Sequence, residues 1–298
     1  MKPTNNRPAV CLLTIDVEEW FQVENLKESI HRNEWERLPT SVEKNVDKIL
    51  GIFADADLQA TFFVLGWVAE RHPQLIRRIS NAGHEIASHG YGHDLTYQLS
   101  LKTLRSDIEK SRKILEDITG KKVVGYRAPS FSVSDSLISI LREMEFRYDS
   151  SYNPFSLNSR YGSIQQPMQP TDYGVFALHG GIYEIPIATL ETAGRHFPMG
   201  GGAYFRIFPY RIFEQLVHKK IEQSGLFSFY LHPWELEPEQ QRVDGLKLNH
   251  RLRHYYGLAN SEKKLTKMIR FLRQEGCRFC STAWFLDQYI TAPSNTAS

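Results

Sequence analysis

The sequence predicts an α/β fold built on a parallel sheet, open or closed into a barrel. Two observations carry that reading. Short apolar runs alternate along the chain with longer stretches whose apolar residues recur at helical spacing, and strand–helix repetition of this kind builds parallel sheets. In addition, Asp16, His89, Arg127, Asp149 and His232 each fall just past a different apolar run. In a parallel barrel the carboxyl ends of the strands share one face, so these residues would meet in one cavity.

Taken in order, the first strand is Val10–Ile15, a β-branched and leucine run that ends abruptly in Asp16. A helix follows over Val42–Ala54, where Thr40 and Glu43 have the spacing of a capping box. Strand Thr61–Leu65, helix Pro73–Ala82 and strand Ile86–Ser88 come next. In the helix Leu101–Ile118, residues Leu101, Leu104, Ile108, Leu115 and Ile118 keep to one face. Strand Val123–Gly125, helix Asp135–Met144 and strand Phe146–Tyr148 complete the first half. Strand Tyr183–Ile187, helix Tyr210–Gln223, strand Phe227–Leu231, helix Glu262–Gln274 and strand Arg278–Ser281 make up the second. Residues 9–290 read as one domain without internal repeats, and 291–298 as a disordered tail. Two stretches break the rhythm, residues 154–181 and 194–209, and loops this long inside a domain are often binding loops. The Gly200-Gly-Gly202 triplet in the second is no phosphate loop, because no Gly-Lys-Ser/Thr follows it.

Composition narrows the function. The 298 residues carry 36 Lys+Arg against 34 Asp+Glu, a formal charge of +2. Nucleic acid as main partner is disfavoured, since it leaves a basic footprint. No run approaches the roughly 20 apolar residues of a membrane span, and the N-terminal residues lack the apolar core of a secretory signal. A cytoplasmic location is therefore expected. Cys11, Cys277 and Cys280 are too few for a disulfide framework, and Cys277-Arg-Phe-Cys280 has no second CxxC to complete a zinc ribbon. Buried reduced thiols are expected.

The chemistry-bearing motif is Ser88-His-Gly-Tyr-Gly-His-Asp94. His89 and His93 are four apart, so one helical turn would set their Cβ atoms about 5–6 Å apart on one side. That suits two imidazoles on one metal ion, with Zn–N near 2.0–2.1 Å. His84-Glu85 does not extend the set, because His89 lies five residues on and faces elsewhere on a helix; His84 reads as structural. A third ligand should be a carboxylate, and Thr14-Ile-Asp-Val-Glu-Glu-Trp20 offers Asp16, Glu18 and Glu19. In extended chain Asp16 and Glu18 share a side and Glu19 points away.

Thr14-Ile-Asp-Val-Glu18, His89-Gly-Tyr-Gly-His93, Arg127-Ala-Pro-Ser130, Tyr148-Asp149 and Leu231-His232 stand in the order of the motifs of polysaccharide deacetylases. The chain thus resembles the NodB-homology group, carbohydrate esterase family 4. Phe229–Glu235, Gly201–Phe205 and Asp16–Val23 further resemble its branch associated with exopolysaccharide and exosortase (PEP-CTERM) loci. The resemblance spans residues 9–290. It implies a distorted (β/α) barrel of about seven parallel strands, and an amidase that removes N-acetyl groups from the amino sugars of a glycan or lipid-linked precursor.

Carried over residue by residue, it implies Asp16 as general base, His89 and His93 as ligands of a divalent metal, zinc first among them, and His232 as general acid. Arg127 would orient Asp16, and Asp149 would support His232. Two departures stand out. Val17 occupies the place of the usual second aspartate, which selects Glu18 as carboxylate ligand, and Ser130 replaces the usual tyrosine and would serve the oxyanion through its backbone N–H. Trp20, Tyr126, Phe131 and Trp234 flank the motifs and are expected to stack on sugar rings. Two rival readings are a metal-independent amide or ureide hydrolase of allantoinase type and a non-catalytic glycan-binding protein.

Overall fold

Strand β1, Val10–Val17, is buried along its whole length and forms the spine of the sheet. A parallel strand covered on both faces must be apolar on both, which is why this run does not alternate. On one side of it follow in turn β2 (Thr61–Val64), β3 (Glu85–Ser88), β4 (Gly125–Tyr126) and β5 (Tyr148–Asp149). Beyond them in the chain come β6 (Gln169–Pro170), β7 (Phe176–Ala177), β8 (Tyr183–Glu184), the hairpin β9–β10 (Thr189–Thr192, Arg195–Pro198), β11 (Leu226–Leu231) and β12 (Arg278–Phe279). The computed structural model describes residues 7–155 and 160–291, so the predicted tail lies, from 292 on, outside the described residues.

Seven strands run parallel side by side in the order β11-β1-β2-β3-β4-β5-β8. β12 adds in parallel to β1, and β7 and β6 extend the far edge antiparallel. No strand ladder joins β8 to β11 among the described residues. Instead, Ala188 N–H donates to Ser228 C=O (3.2 Å) and Tyr230 N–H to Gly200 C=O (2.7 Å). The glycine triplet is what lets this seam approach β11: a Cβ on Gly201 would sit 1.9 Å from the Tyr230 carbonyl oxygen. The barrel is thus distorted, with a seam where the ladder is replaced by single bonds.

Helices α1 (Val42–Asp55), α2 (Gly66–Arg71), α3 (Pro73–Asn81), α4 (Leu101–Thr119) and α5 (Asp135–Glu143) lie along the first half. Helices α6 (Gly202–Ile207), α7 (Tyr210–Ser224), α8 (Leu248–Tyr255), α9 (Ser261–Gln274) and α10 (Thr282–Phe285) follow in the second. The capping box predicted for α1 does not form. The N-cap is Ser41, and the carboxylate of Glu19 accepts from the N–H groups of Ser41 (2.9 Å) and Val42 (3.0 Å) instead. On α4 the buried stripe is Leu104, Ile108, Ser111 and Leu115, while Leu101 is 63 % exposed at the first turn. Ser100 caps that helix, and Gly120, at φ +67°, ends it.

Alternation along β1 separates two cores. Cys11, Leu13, Ile15 and Val17 face the helices, whereas Val10 and Leu12 face inward with Phe63, Tyr148, Phe285 and Leu286. The inward row continues upward as Thr14 and Asp16. The lower interior is filled by apolar side chains, and the polar cluster sits at the carboxyl ends of the strands. All three cysteines are buried free thiols.

Candidate metal centre and active-site pocket

Asp16 is the last inward residue of β1 and is 2 % exposed. Its Oδ1 accepts from Arg127 Nη1 at 2.7 Å. Arg127 is fully buried and held on every side: Nη1 also donates to Thr14 Oγ1 (2.7 Å), Nε to Ser150 C=O (2.9 Å) and Nη2 to Ser150 Oγ (2.9 Å). The guanidinium lies over the Phe63 ring at 4.0 Å, a favourable cation–π arrangement. Its carbonyl in turn accepts from His89 Nδ1 (2.8 Å). That bond fixes the tautomer with the proton on Nδ1 and leaves Nε2 as a lone pair facing the pocket.

One ligand atom each from Glu18, His89 and His93 lies within 4.8 Å of the others, and all three residues are buried. Glu18 Oε2 is 2.6 Å from His93 Nε2 and 3.9 Å from His89 Nε2. Glu18 Oε1 accepts from Trp234 Nε1 (3.3 Å). Burial alone would raise the Glu18 pKa, but His93, then His232, hold it down at about 2. Burial pulls His89 down to about 4, so it is a neutral imidazole at physiological pH. Two imidazoles and an ionised carboxylate converge on one point, with Glu18 Oε2 buried and lacking a hydrogen-bond partner. This donor set fits a divalent cation, and zinc accepts these ligands.

The histidines do not meet through a helical turn, as the spacing suggested. Residues 89–93 form a loop in which Gly90 (φ +73°) and His93 (φ +55°) are left-handed. Asp107 on α4 ties the loop down by accepting from Tyr91 N–H (2.8 Å) and Gly92 N–H (3.0 Å). A Cβ at Gly90 would lie 2.8 Å from that carboxylate, so glycine is required there.

His232 follows β11. Its Nε2 is 3.5 Å from Glu18 Oε1 and 4.0 Å from Asp16 Oδ2. Its Nδ1 and backbone N–H both donate to Glu235 Oε1, at 2.8 and 3.1 Å. Burial lowers the His232 pKa, but Glu18 and then Glu235 outweigh it and raise it to about 9. Glu235 itself is opposed by burial and held at about 2 by Arg206 and His232. Arg206 Nε donates to Glu235 Oε2 (2.6 Å), and its Nη groups donate to the carbonyls of Arg253 (2.7 Å), His254 (3.0 Å) and Tyr256. One buried arginine therefore locks α6 and α8 to the His232 loop.

Asp149 does not support His232. Its Oδ1 accepts from Ser151 Oγ (2.7 Å), whose oxygen accepts from Ala128 N–H (2.7 Å). Its register partner is Glu184, whose pKa is driven well above the carboxylate range by burial and by Asp149. A protonated Glu184 donating to Asp149 satisfies both groups, and together they brace the strand end behind Arg127. The role expected of Asp149, supporting His232, is filled by Glu235, three residues after His232.

Of the four aromatic residues expected at the sugar, Phe131 and Trp234 line the pocket. Trp20 and Tyr126 do not. Trp20 is buried against Phe21 and donates to Pro39 C=O (3.1 Å), and Tyr126 packs edge-on to Phe146 in the core. Trp234 is sandwiched between His232 and His254, with ring centroids at 5.1 and 4.5 Å. Ser130 lines the pocket at φ +52°. Glu19, buried at the α1 N-terminus, points away from the metal-binding group. The two long stretches supply Arg160, Tyr161, Gly202, Ala203 and Arg206 to the wall.

Residues 35–148 match the family model for polysaccharide deacetylase, and residues 150–283 match a domain of unknown function, DUF3473. The peptidoglycan deacetylase of Helicobacter pylori is 29% identical over 135 residues, 45% of this chain and 46% of that protein. The chitooligosaccharide deacetylase of Sinorhizobium fredii is 36% identical over 93 residues, 31% of this chain and 43% of the relative. The chain spans under half the length of these curated relatives. A Mycobacterium smegmatis structure assigned to the polysaccharide deacetylases superposes with a TM-score of 0.61 at 20% identity, covering 96% of this chain and 93% of the other. A Bacillus anthracis pseudoenzyme of the same family superposes with a TM-score of 0.55 at 16% identity, over 96% and 70%. The chain carries a polysaccharide deacetylase domain of the NodB-homology, carbohydrate esterase family 4 type. The boundary between the two matched regions falls within the parallel sheet, and the pocket draws on both. His89 and His93 come from the first region, His232, Glu235 and Arg206 from the second, and Asp16 and Glu18 from residues preceding either.

Proposed function

We propose that this chain is a metal-dependent N-deacetylase that releases acetate from an N-acetylated amino sugar in a glycan or a lipid-linked glycan precursor. What supports the reading is one arrangement: the Glu18–His89–His93 donor set, the Asp16–Arg127 pair and the His232–Glu235 pair open onto a single pocket. A divalent cation held there supplies Lewis acidity, polarising a carbonyl and lowering the pKa of water to about 7 in favourable sites.

The chain's own residues do the rest. Arg127 occupies Oδ1 of Asp16 and so aims Oδ2 at the attacking water, whose proton it accepts. Ser130, which lines the pocket, would serve the developing oxyanion through its backbone N–H, and one such donor is worth about 3–4 kcal/mol in the transition state. His232 is protonated at neutral pH and delivers its Nε2 proton to the departing amine. The proton gained by Asp16 and the one lost by His232 balance over a turnover. Phe131 offers apolar ring surface to the sugar, whereas Trp234, stacked on both faces by His232 and His254, contributes its edge to the pocket wall. The fold alone does not decide activity, since a pseudoenzyme shares it; the full set of base, acid and ligand side chains favours turnover over mere glycan binding.

The test is acetate release from a panel of N-acetylated oligosaccharides, before and after exhaustive chelation and zinc restoration. Metal-dependent release supports the reading. Undiminished release from metal-free protein favours the ureidase-like alternative, and binding without release favours the glycan-binding one.

A further inference from the structure

Helix α8 has two unlike sides. Its inner side is fixed. His254 is fully buried, stacks on Trp234 at 4.5 Å and donates from Nε2 to Gln240 Oε1 (2.8 Å). Arg206 holds the carbonyls of Arg253, His254 and Tyr256, and Arg253 reaches into the wall of the active-site pocket. The outer side carries Leu248, Leu252 and Tyr256, which are 71%, 53% and 53% exposed. Four residues apart, they fall on one face. Exposed Ile207, at the end of α6, joins Tyr256 and Tyr210 in the lining of the adjoining cleft. Large apolar side chains gathered on an anchored surface mark a place of interaction.

The rim of this face is basic. Between Arg242 and Tyr256 stand Arg242, Lys247, Arg251 and Arg253 against the one acid Asp244, more positive charge than the +2 of the whole chain. Arg251 flanks the leucines, about 60° around the helix from Leu248. Arg242 lies over the Tyr255 ring at 4.3 Å. Lys247 meets Glu28 at 3.0 Å, but both side chains are mostly exposed, so the pair is weak and easily exchanged for another anion. Leucine and tyrosine edged by lysine and arginine suit the headgroup region of an anionic bilayer. A second copy fits less well, because a twofold contact would set this basic rim against itself.

We propose that the outer face of α8, with Ile207, docks reversibly on a bilayer containing anionic phospholipid. Leu248, Leu252 and Tyr256 enter the headgroup layer, and Arg242, Lys247 and Arg251 meet the lipid phosphates. Arg253 follows Leu252 directly and lines the pocket, so docking brings the pocket wall beside the bilayer, where a lipid-linked glycan is carried. Docking itself does not rest on the deacetylase reading.

The experiment floats the full chain with vesicles of phosphatidylcholine alone, or of phosphatidylcholine with about 30 mol% phosphatidylglycerol. Binding should be at least about tenfold tighter to the anionic vesicles and should fall steeply in about 0.5 M NaCl. One basic residue near such a surface is worth about fivefold, so K247Q/R251Q should weaken binding by about 10–25-fold. L248S/L252S should weaken it at least about tenfold. All four positions are exposed, so melting temperatures should stay within about 2 °C of the wild type. Leu252→Trp gives a second readout, an emission that shifts to the blue on anionic vesicles. No binding to anionic vesicles, binding that L248S/L252S leaves intact, or an unshifted Leu252→Trp spectrum overturns the proposal. A wild-type dimer in light scattering that L248S/L252S dissociates, with no vesicle binding, gives the face to a second copy and overturns it too. Failure of the acetate-release assay leaves the vesicle result standing.

Discussion

Replacing Glu235 by glutamine isolates the electrostatics of the His232 ring with little change in shape. The ring stands between two carboxylates, Glu235 Oε1 at 2.8 Å from Nδ1 and Glu18 Oε1 at 3.5 Å from Nε2. Together they lift its pKa to about 9 against the opposing effect of burial. A cation on Glu18 offsets that residue's share and leaves Glu235 the larger support. One opposite charge at this range is worth about 1–3 pH units, so in Glu235→Gln the alkaline limb of kcat/KM should move down by about 1–2 units. At pH 8.5 that is roughly a tenfold loss, with a much smaller loss near pH 6. The substitution also strips Arg206, buried to 1% side-chain exposure, of its carboxylate, at about 3 kcal/mol of stability. Assays must therefore run well below the lowered melting temperature. An aryl acetate, whose leaving group needs no proton, provides the control and should lose far less than the amide. An unmoved alkaline limb, or amide and ester falling together, would refute His232 as a proton donor poised by Glu235.

The two neighbouring glutamates should separate cleanly. Glu18→Gln is expected to abolish zinc binding, while Glu19→Gln keeps it and loses about 1–2 kcal/mol of stability with its bonds to Ser41 and Val42, both read by calorimetry and urea unfolding. Acid should weaken the fold well above the carboxylate range. His84 and His254 are buried, with pKa values pushed by burial down to about 4 and about 3. The unfolded chain thus takes up their protons first as pH falls below about 6.5, losing on the order of 3 kcal/mol each by pH 4. Urea midpoints between pH 7 and 4 check this, and a flat profile contradicts it. Gly201→Ala drives a Cβ into the Tyr230 carbonyl and should cost at least about 2 kcal/mol by thermal unfolding.

Much of this was legible because parallel strands buried on both faces read as unbroken apolar runs, and side chains just past them must converge. Asp16, His89, Arg127 and His232 were located that way. The direction of a side chain past a strand end was not legible. Asp149 has the same kind of position, yet it turns to Ser151 and Glu184, away from His232. Trp20 and Tyr126 sit beside motif residues but face the core, because a neighbour in sequence commonly points the opposite way. Glu235 lies three residues after His232, where a carboxylate folds back on the preceding N–H, and that spacing could have flagged it. Arg206 carries no local signal: its partners lie up to 50 residues away on α8 and the His232 loop. The hairpin β9–β10 and helices α2, α6 and α8 escaped notice as short elements lacking a long apolar run.

The central claim is that Glu18, His89 and His93 hold one cation. Titrating zinc into the metal-free chain by calorimetry tests it directly, alongside Glu18→Gln, His89→Ala and His93→Ala. One zinc per wild-type chain, with affinity falling at least 100-fold in each variant, is the expected result; binding that survives all three substitutions would contradict it.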